Sequence, residues 1–351
     1  LCVVVLFVPM ILHFTEKPVI KPLYGYTGEK TEMPTYDWSN IVARTWQDSV
    51  ERFVNDKIHV RPAYVRFRNF FDYELFDLVH TEKVVRGKEN WLYNIDSWYM
   101  EGGANNDPND MRNQVEQLKR VQDKLKKEGK PLLFVIAPEK AFVYPEYLPA
   151  NMPLTEATRF NYDNYRDLMD SYKVDYLDFN EWFIGLKDTA KYEIFAKGGK
   201  HWTHLYATIA FDSIGRELDN KGVPVPEFKY LHRSPKKKPR ADDVDTWKAA
   251  NLPFSFETGT FAHPYFETEE TDKSKVHFVS DSYINIVLWS PQLREQYNGN
   301  MQYSYYNKEL YNIEAMNMIG PTSQEYWDNH YDEYDAFVIV VSVGNIALFD
   351  Y

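Results

Sequence analysis

The chain opens on a nearly unbroken apolar run, "LCVVVLFVPMILHF" (residues 1–14), and becomes polar at once at Thr15-Glu16-Lys17. As a helix this run spans about 21 Å, short of a ~30 Å hydrocarbon core. Neither a Met nor a basic flank precedes it, so it reads as part of a longer signal-anchor segment. Residues 15–37 are rich in Pro, Gly and Thr without apolar periodicity, the pattern of a linker. From Trp38 to about Leu78 the apolar spacing turns helical, which predicts a helical extension over 38–82. The main domain is then expected over 83–351.

Within that domain the pattern alternates. "KVVRGKENWLYN" (83–94) predicts two short strands around a Gly turn. A strongly periodic helix follows from about Pro108 to Glu128, and Gly129 ends it. "PLLFVIAP" (131–138) is continuously apolar, as a parallel strand buried on both faces must be. A helix near 156–172, a strand "VDYLDF" (174–179) and a helix over 203–220 come next. Residues 223–270 look irregular and Pro-rich. "VHFVS" (276–280) is another core strand, leading into a helix from Ser282 to about Gln296, and "AFVIVVSV" (336–343) is the last strand. Strands alternating with helices predict an α/β class: a three-layer α/β/α sandwich with a mostly parallel sheet.

Composition narrows the function. A net charge of −12 argues against a surface that tracks nucleic-acid phosphates. The one basic run, "PKKKPR" (235–240), sits among prolines and reads as a solvated loop. Cys2 is the only cysteine, which excludes a disulfide framework and a Cys-rich zinc site within the chain. Aromatic content of 17% suits stacking on sugars, although the same residues fill cores.

Two short stretches carry candidate chemistry. In open α/β sheets, sites form where strands end and helices begin. "VSDSY" (279–283) puts Ser282 at such a place, where it is either a nucleophile or a helix N-cap. Its own N–H can face an oxyanion there. "GKHWTH" (199–204) puts His201 in a Gly-rich loop before a helix, where a base can reach a cleft. The His201/His204 pair has no Cys or carboxylate beside it to complete a metal set, so no metal and no cofactor is expected.

The order of these pieces resembles the SGNH-hydrolase-like polysaccharide O-acetyltransferases, the alginate-acetylating AlgJ and AlgX type and their Gram-positive cell-wall relatives. "VVRGKENWLYN" is similar to the family's G-K-x-x-W-L-[FY] opening, and "FVIAPEKAFVYPEYLP" (134–149) to its strand, Lys and Tyr-Pro-Glu-x-Leu-Pro block. "HWT" and "SDS" are similar to D-x-H-W and G-D-S. The resemblance covers about 83–343. It implies a Ser282-linked acetyl-enzyme, with His201 as base, that passes acetyl to a hydroxyl of a cell-envelope polysaccharide. It also implies a multipass membrane O-acyltransferase as acetyl supplier and an extracytoplasmic domain.

Two positions depart from that pattern. Ser280 stands where the family has Gly, and Gly199 where it has the acid of the triad. Three routes remain open at this point: a carboxylate from elsewhere, with Asp178 or Glu139 as candidates; a Ser–His dyad oriented by a backbone carbonyl; or a silent site that only binds polysaccharide. An esterase on the same scaffold is the rival chemistry. Lys140 and Trp202 are candidates for substrate binding, with a solvated lysine and a packed indole as the plainer readings. Asp281 and Asn345 are candidates for shaping the turn or, for Asn345, donating to an oxyanion.

Overall fold

The computed structural model describes residues 20–348 except 26–31, 37, 44, 58–59, 96–105, 151–159, 226–227, 269–273, 289, 291–300 and 314–316. The apolar run 1–14 therefore lies outside the described residues. Among the described residues no helix is long and apolar enough to cross a membrane.

The chain divides into two compact units. One comprises residues 1–82 with 246–255, the other 83–245 with 256–351. The first is helical, with helices Trp38–Val42, Thr45–Lys57 and Arg61–Phe76. Its third helix carries Pro62 in its first turn, where the missing N–H costs nothing, and is capped by Asp77 in the left-handed conformation. Tyr73 of this helix is buried with its ring 5.6 Å from that of Trp247, and Asn69 Nδ2 donates to the Ala250 carbonyl (2.9 Å).

Among the described residues the second unit holds eleven strands: β1 Val84–Arg86, β2 Leu92–Asn94, β3 Leu132–Ala137, β4 Tyr176–Asp178, β5 Phe228–Lys236, β6 Phe261–Thr268, β7 Val276–Ser280, β8 Met301–Tyr305, β9 Glu309–Asn312, β10 Asn317–Pro321 and β11 Ala336–Ser342. Seven form the central sheet, in the order β10-β9-β8-β7-β11-β3-β4. From β8 to β4 every neighbour is parallel, while β9 and β10 add an antiparallel edge. β1 and β2 form the small hairpin expected of "KVVRGKENWLYN".

Burial of the parallel strands on both faces follows from their side-chain alternation. Leu133, Val135 and Ala137 of β3 join Val338 and Val340 of β11 in one core, covered by Phe179, Phe183, Leu205 and Phe211. Leu132, Phe134 and Ile136 join Phe337 and Val341 in the other, covered by Val115, Leu118, Tyr165 and Met169. The covering helices are Phe179–Leu186 and His204–Asn220 on one face, Pro108–Lys127 and Asn161–Tyr172 on the other. Because β3, β4, β7 and β11 run parallel, the residues that follow each of them meet along one edge of the sheet.

Two stretches differ from the sequence reading. Residues 228–268 contain an antiparallel pair, β5 with β6, where an irregular stretch was expected; Pro235 and the basic residues of β5 mask its alternation. Of the helix expected over Ser282–Gln296, the described start is a 3₁₀ turn, Ser282–Ile284, followed by the helix Asn285–Leu288, while residues 289 and 291–296 lie outside the described residues.

His277 of β7 is fully buried among Trp327, Tyr334 and Phe337, with Nε2 2.9 Å from Ser304 Oγ. Burial pushes it from its ordinary 6.5 down to about 3, and Lys275 acts in the same direction. Between those values the unfolded chain holds the extra proton, so acidification favours unfolding by up to about 1.4 kcal/mol per pH unit. Denaturant midpoints are expected to fall from pH 6.5 to about 3. The slope should be shallower in His277→Gln, whose side chain does not titrate.

Candidate active site

Ser282 follows β7 and opens the 3₁₀ turn, half-buried at the edge of the sheet. The turn is built by Asp281, which is fully buried. Its Oδ1 accepts from Tyr283 N (3.0 Å), and its Oδ2 accepts from Ser342 N (3.0 Å), Ser342 Oγ (2.6 Å) and Asn345 Nδ2 (2.9 Å). Asp281 thus ties the end of β7 to the end of β11. The amide of Asn345 is spent on Asp281, Ser342 Oγ (3.1 Å) and Tyr306 Oη (3.2 Å). It shapes the turn through Asp281, and its Nδ2 is not directed at an oxyanion.

His201 lies on the loop between Phe195 and the helix His204–Asn220. Its Nε2 is 2.9 Å from Ser282 Oγ, and its Nδ1 is 2.7 Å from Asp245 Oδ2. Asp245 Oδ1 accepts from Lys200 N (2.8 Å), so the carboxylate also fixes the backbone beside the imidazole. The acid at His201 is therefore Asp245, the first residue of the short helix Asp245–Ala249 in the connection between β5 and β6. A tract "ADDVD" was visible in the sequence, but nothing about a separation of 44 positions from His201 selects one of its carboxylates.

Neither acid considered from the sequence occupies that position. Asp178 caps the helix Phe179–Leu186 through Glu181 N (2.9 Å), accepts from Tyr162 Oη (2.7 Å) and pairs with Arg166 Nε (3.1 Å). Glu139 is buried, its N–H bonded to Asn180 Oδ1 (3.1 Å) and its carboxyl reached by Tyr283 Oη (3.4 Å). Burial holds the Glu139 carboxyl above its ordinary range. No backbone carbonyl is needed to orient His201 either, because Asp245 does so.

Gly199 has a steric cause. A Cβ built there would meet the Asp243 carbonyl oxygen at 2.2 Å. The segment that delivers Asp245 occupies the volume an aspartate at 199 would need.

The His201 loop is held from several sides. Lys140 is 2% exposed and its Nζ donates to the carbonyls of Leu92 (2.8 Å), Lys197 (2.6 Å) and Gly199 (2.8 Å). It also lies 4.9 Å from the ring centroid of Trp91. Burial pushes this ammonium down to about 7, against the opposing pull of Glu257, Asp245 and Glu139. Glu257 accepts from Lys197 N (3.0 Å) and Gly198 N (2.6 Å). Trp202, 2% exposed, donates Nε1 to the Tyr283 carbonyl (3.1 Å), and Tyr283 Oη donates to the Lys200 carbonyl (3.2 Å). Lys140 and Trp202 are thus internal struts and not substrate-facing groups. His204 takes no part in the Ser282–His201–Asp245 bonds; its backbone N–H is capped by Asp243 Oδ1 (2.8 Å), and burial pushes its ring down to about 4.

A serine at a strand end, bonded to an imidazole that is bonded in turn to a carboxylate, has the arrangement that nucleophilic acyl transfer requires. Residues 84–279 match the family described as the SGNH hydrolase-like domain of the acetyltransferase AlgX, and the chain belongs to that family. The matched segment contains His201 and Asp245 and stops just short of Ser282. Among curated relatives, the probable alginate O-acetylase AlgJ of Pseudomonas syringae pv. tomato is 24% identical over 188 residues, covering 52% of this chain and 45% of that protein. The probable AlgJ of Pseudomonas fluorescens is 23% identical over 186 residues, with the same coverage. The chain thus spans about half the length of these relatives. Solved structures that resemble it include the O-acetyltransferase domain of Pseudomonas putida AlgJ (16% identity, 76% of this chain and 92% of that one, TM-score 0.47). Another is Bacillus cereus PatB1 (9% identity, 75% of this chain and 96% of that one, TM-score 0.47).

Two variants test the loop geometry. Gly199→Asp is expected to lower stability by roughly 3 kcal/mol through overpacking, and to displace the segment carrying Asp245. Thermal unfolding reads the first effect and the nitrogen NMR shifts of His201 the second; an unchanged melt would contradict the close approach. Lys140→Met takes a donor from three carbonyls, of which that of Lys197 keeps the Leu92 N–H (2.8 Å), and at about 1–3 kcal/mol for each buried carbonyl left unsatisfied it should cost more stability than any single surface Lys→Met change.

Proposed function

We propose that the chain is an O-acetyltransferase that passes acetyl groups to hydroxyls of a cell-envelope polysaccharide through an acetyl ester on Ser282. The observation that carries this reading is the hydrogen-bond chain Ser282 Oγ–His201 Nε2 (2.9 Å) and His201 Nδ1–Asp245 Oδ2 (2.7 Å). Ser282 Oγ attacks the acetyl carbonyl while His201 Nε2 takes its proton. Asp245 holds the ring with Nε2 facing the serine and stabilises the imidazolium. The tetrahedral intermediate has its oxyanion near the Ser282 N–H, at the start of the turn. It collapses as His201 returns the proton to the leaving group. A sugar hydroxyl then attacks acetyl-Ser282, gives its proton to His201, and leaves as the acetyl ester with Ser282 restored.

The reading of a silent site rested on Gly199, and Asp245 at His201 Nδ1 removes that ground. Acetyl transfer is favoured over deacetylation by family membership. The relatives' description as alginate O-acetylases supports a polysaccharide acceptor, and a multipass membrane O-acyltransferase would supply the acetyl group. The apolar run 1–14 supports a membrane anchor with the domain on the extracytoplasmic side.

Intact mass after exposure to a small activated acetyl ester tests the chemistry. One acetyl adduct is expected on the unaltered chain, none on Ser282→Ala, and none within the same time on His201→Ala. Asp245→Asn should acylate about 10²–10⁴ times more slowly, since an uncharged amide stabilises the imidazolium poorly. An adduct retained in Ser282→Ala would sink the assignment. An adduct discharged to water faster than to added oligosaccharide would make the protein an esterase.

A further inference from the structure

The helix Arg61–Phe76 of the N-terminal unit has its polarity reversed. Phe67, Phe71 and Leu75, with Tyr64 in line before them, follow the spacing i, i+3, i+7, i+11 that places them in one stripe. They are 43% (Tyr64), 61% (Phe67), 43% (Phe71) and 64% (Leu75) exposed. The residues this helix buries, Asn69 and Tyr73, lie on the opposite side. Phe76 and Leu78 extend the exposed apolar surface past the helix end, at 71% and 49%. A continuous row of large apolar side chains facing water marks a surface that something else covers.

The path of the chain indicates what covers it. Arg66 of the same helix donates Nη1 to the Lys21 carbonyl (2.8 Å) and Nη2 to the Pro22 carbonyl (2.7 Å). Lys21 stands seven residues after Phe14, the last of the apolar run. Seven residues span at most about 25 Å. With residues 1–14 in a bilayer, the membrane-anchored reading on which this inference rests, the helix is tethered within that distance of the lipid surface. Its chemistry suits the place. Aromatic rings and leucine form the stripe, and Arg68, whose side chain is 75% exposed, flanks it with a long aliphatic arm. Asp72, Glu74 and Asp77 offset the arginines, so apolar burial and not charge drives the contact.

We infer that the helix Arg61–Phe76 lies against the lipid bilayer through the Tyr64–Phe67–Phe71–Leu75 stripe, docking the N-terminal unit on the membrane beside its anchor.

The test uses the full chain, as Cys2→Ala, in phosphatidylcholine vesicles. An environment-sensitive fluorophore is placed at Phe67→Cys, at Leu75→Cys, or at Glu51→Cys on the exposed polar side of the helix Thr45–Lys57. Nitroxide carried near the top of the lipid acyl chains is expected to remove half or more of the emission at 67 and 75, and little at 51. Adding anionic phosphatidylglycerol should leave this unchanged. A blue-shifted but unquenched label at 67 and 75 would mean that protein covers the stripe, whether residues 1–14 or another chain, and would overturn the inference. Water-exposed, unquenched labels on a chain that still floats with the vesicles would overturn it and leave the anchor standing. Failure to float would remove the anchor and this inference together, with Ser282 acylation unaffected.

Discussion

The site depends on the close approach of the Asp243 carbonyl to Gly199, a position where even a methyl group would overlap the backbone. That approach sets the distance between two segments far apart in sequence, one ending in the imidazole and the other in the carboxylate. Asp245 can reach Nδ1 and the Lys200 N–H together because nothing intervenes at 199. The missing family acid and the present one are therefore a single fact. A chain that supplies the carboxylate from this second segment has no room for it in the first.

Around that contact the site is braced by groups with no chemical role of their own. Asp281 gathers four donors at the junction of β7 and β11, which fixes where Ser282 stands. Lys140 and Glu257 work as opposites on one loop, the ammonium collecting carbonyls and the carboxylate collecting N–H groups. Trp202 and Tyr283 cross-link the loop of the base to the turn of the nucleophile in both directions. Preorganisation of this kind lets an imidazole turn over without first being oriented.

The fold was legible where physics leaves a local trace. Strands β3 and β11 are almost continuously apolar, and β7 apart from His277 and Ser280, because both faces are covered, and their ends point to the site edge. The β5–β6 pair and the edge strands β8 to β10 were not legible, since Tyr, Ser and basic residues blur their alternation. Ser282 and His201 stand at a strand end and before a helix, positions a sequence displays. Asp245 does not, because its place is fixed by a tertiary contact at Gly199 with no short-range signature. Of the readings open for Trp202 the packed indole is the one found, whereas Lys140 is neither solvated nor facing a substrate, since residue type does not report burial for an amphipathic side chain.

Lys140 has one further consequence. An amine that holds its proton only to about 7 is in part uncharged at neutral pH, and an uncharged amine that an activated ester could reach would be acylated by it. Such an amine would compete with the serine and trap acyl groups as a dead-end amide. Enclosed on every side, with each N–H committed to a carbonyl, it is out of reach of any acyl donor. The fold thus keeps a reactive amine a few residues from its acylation chemistry and protects itself from self-modification by packing alone.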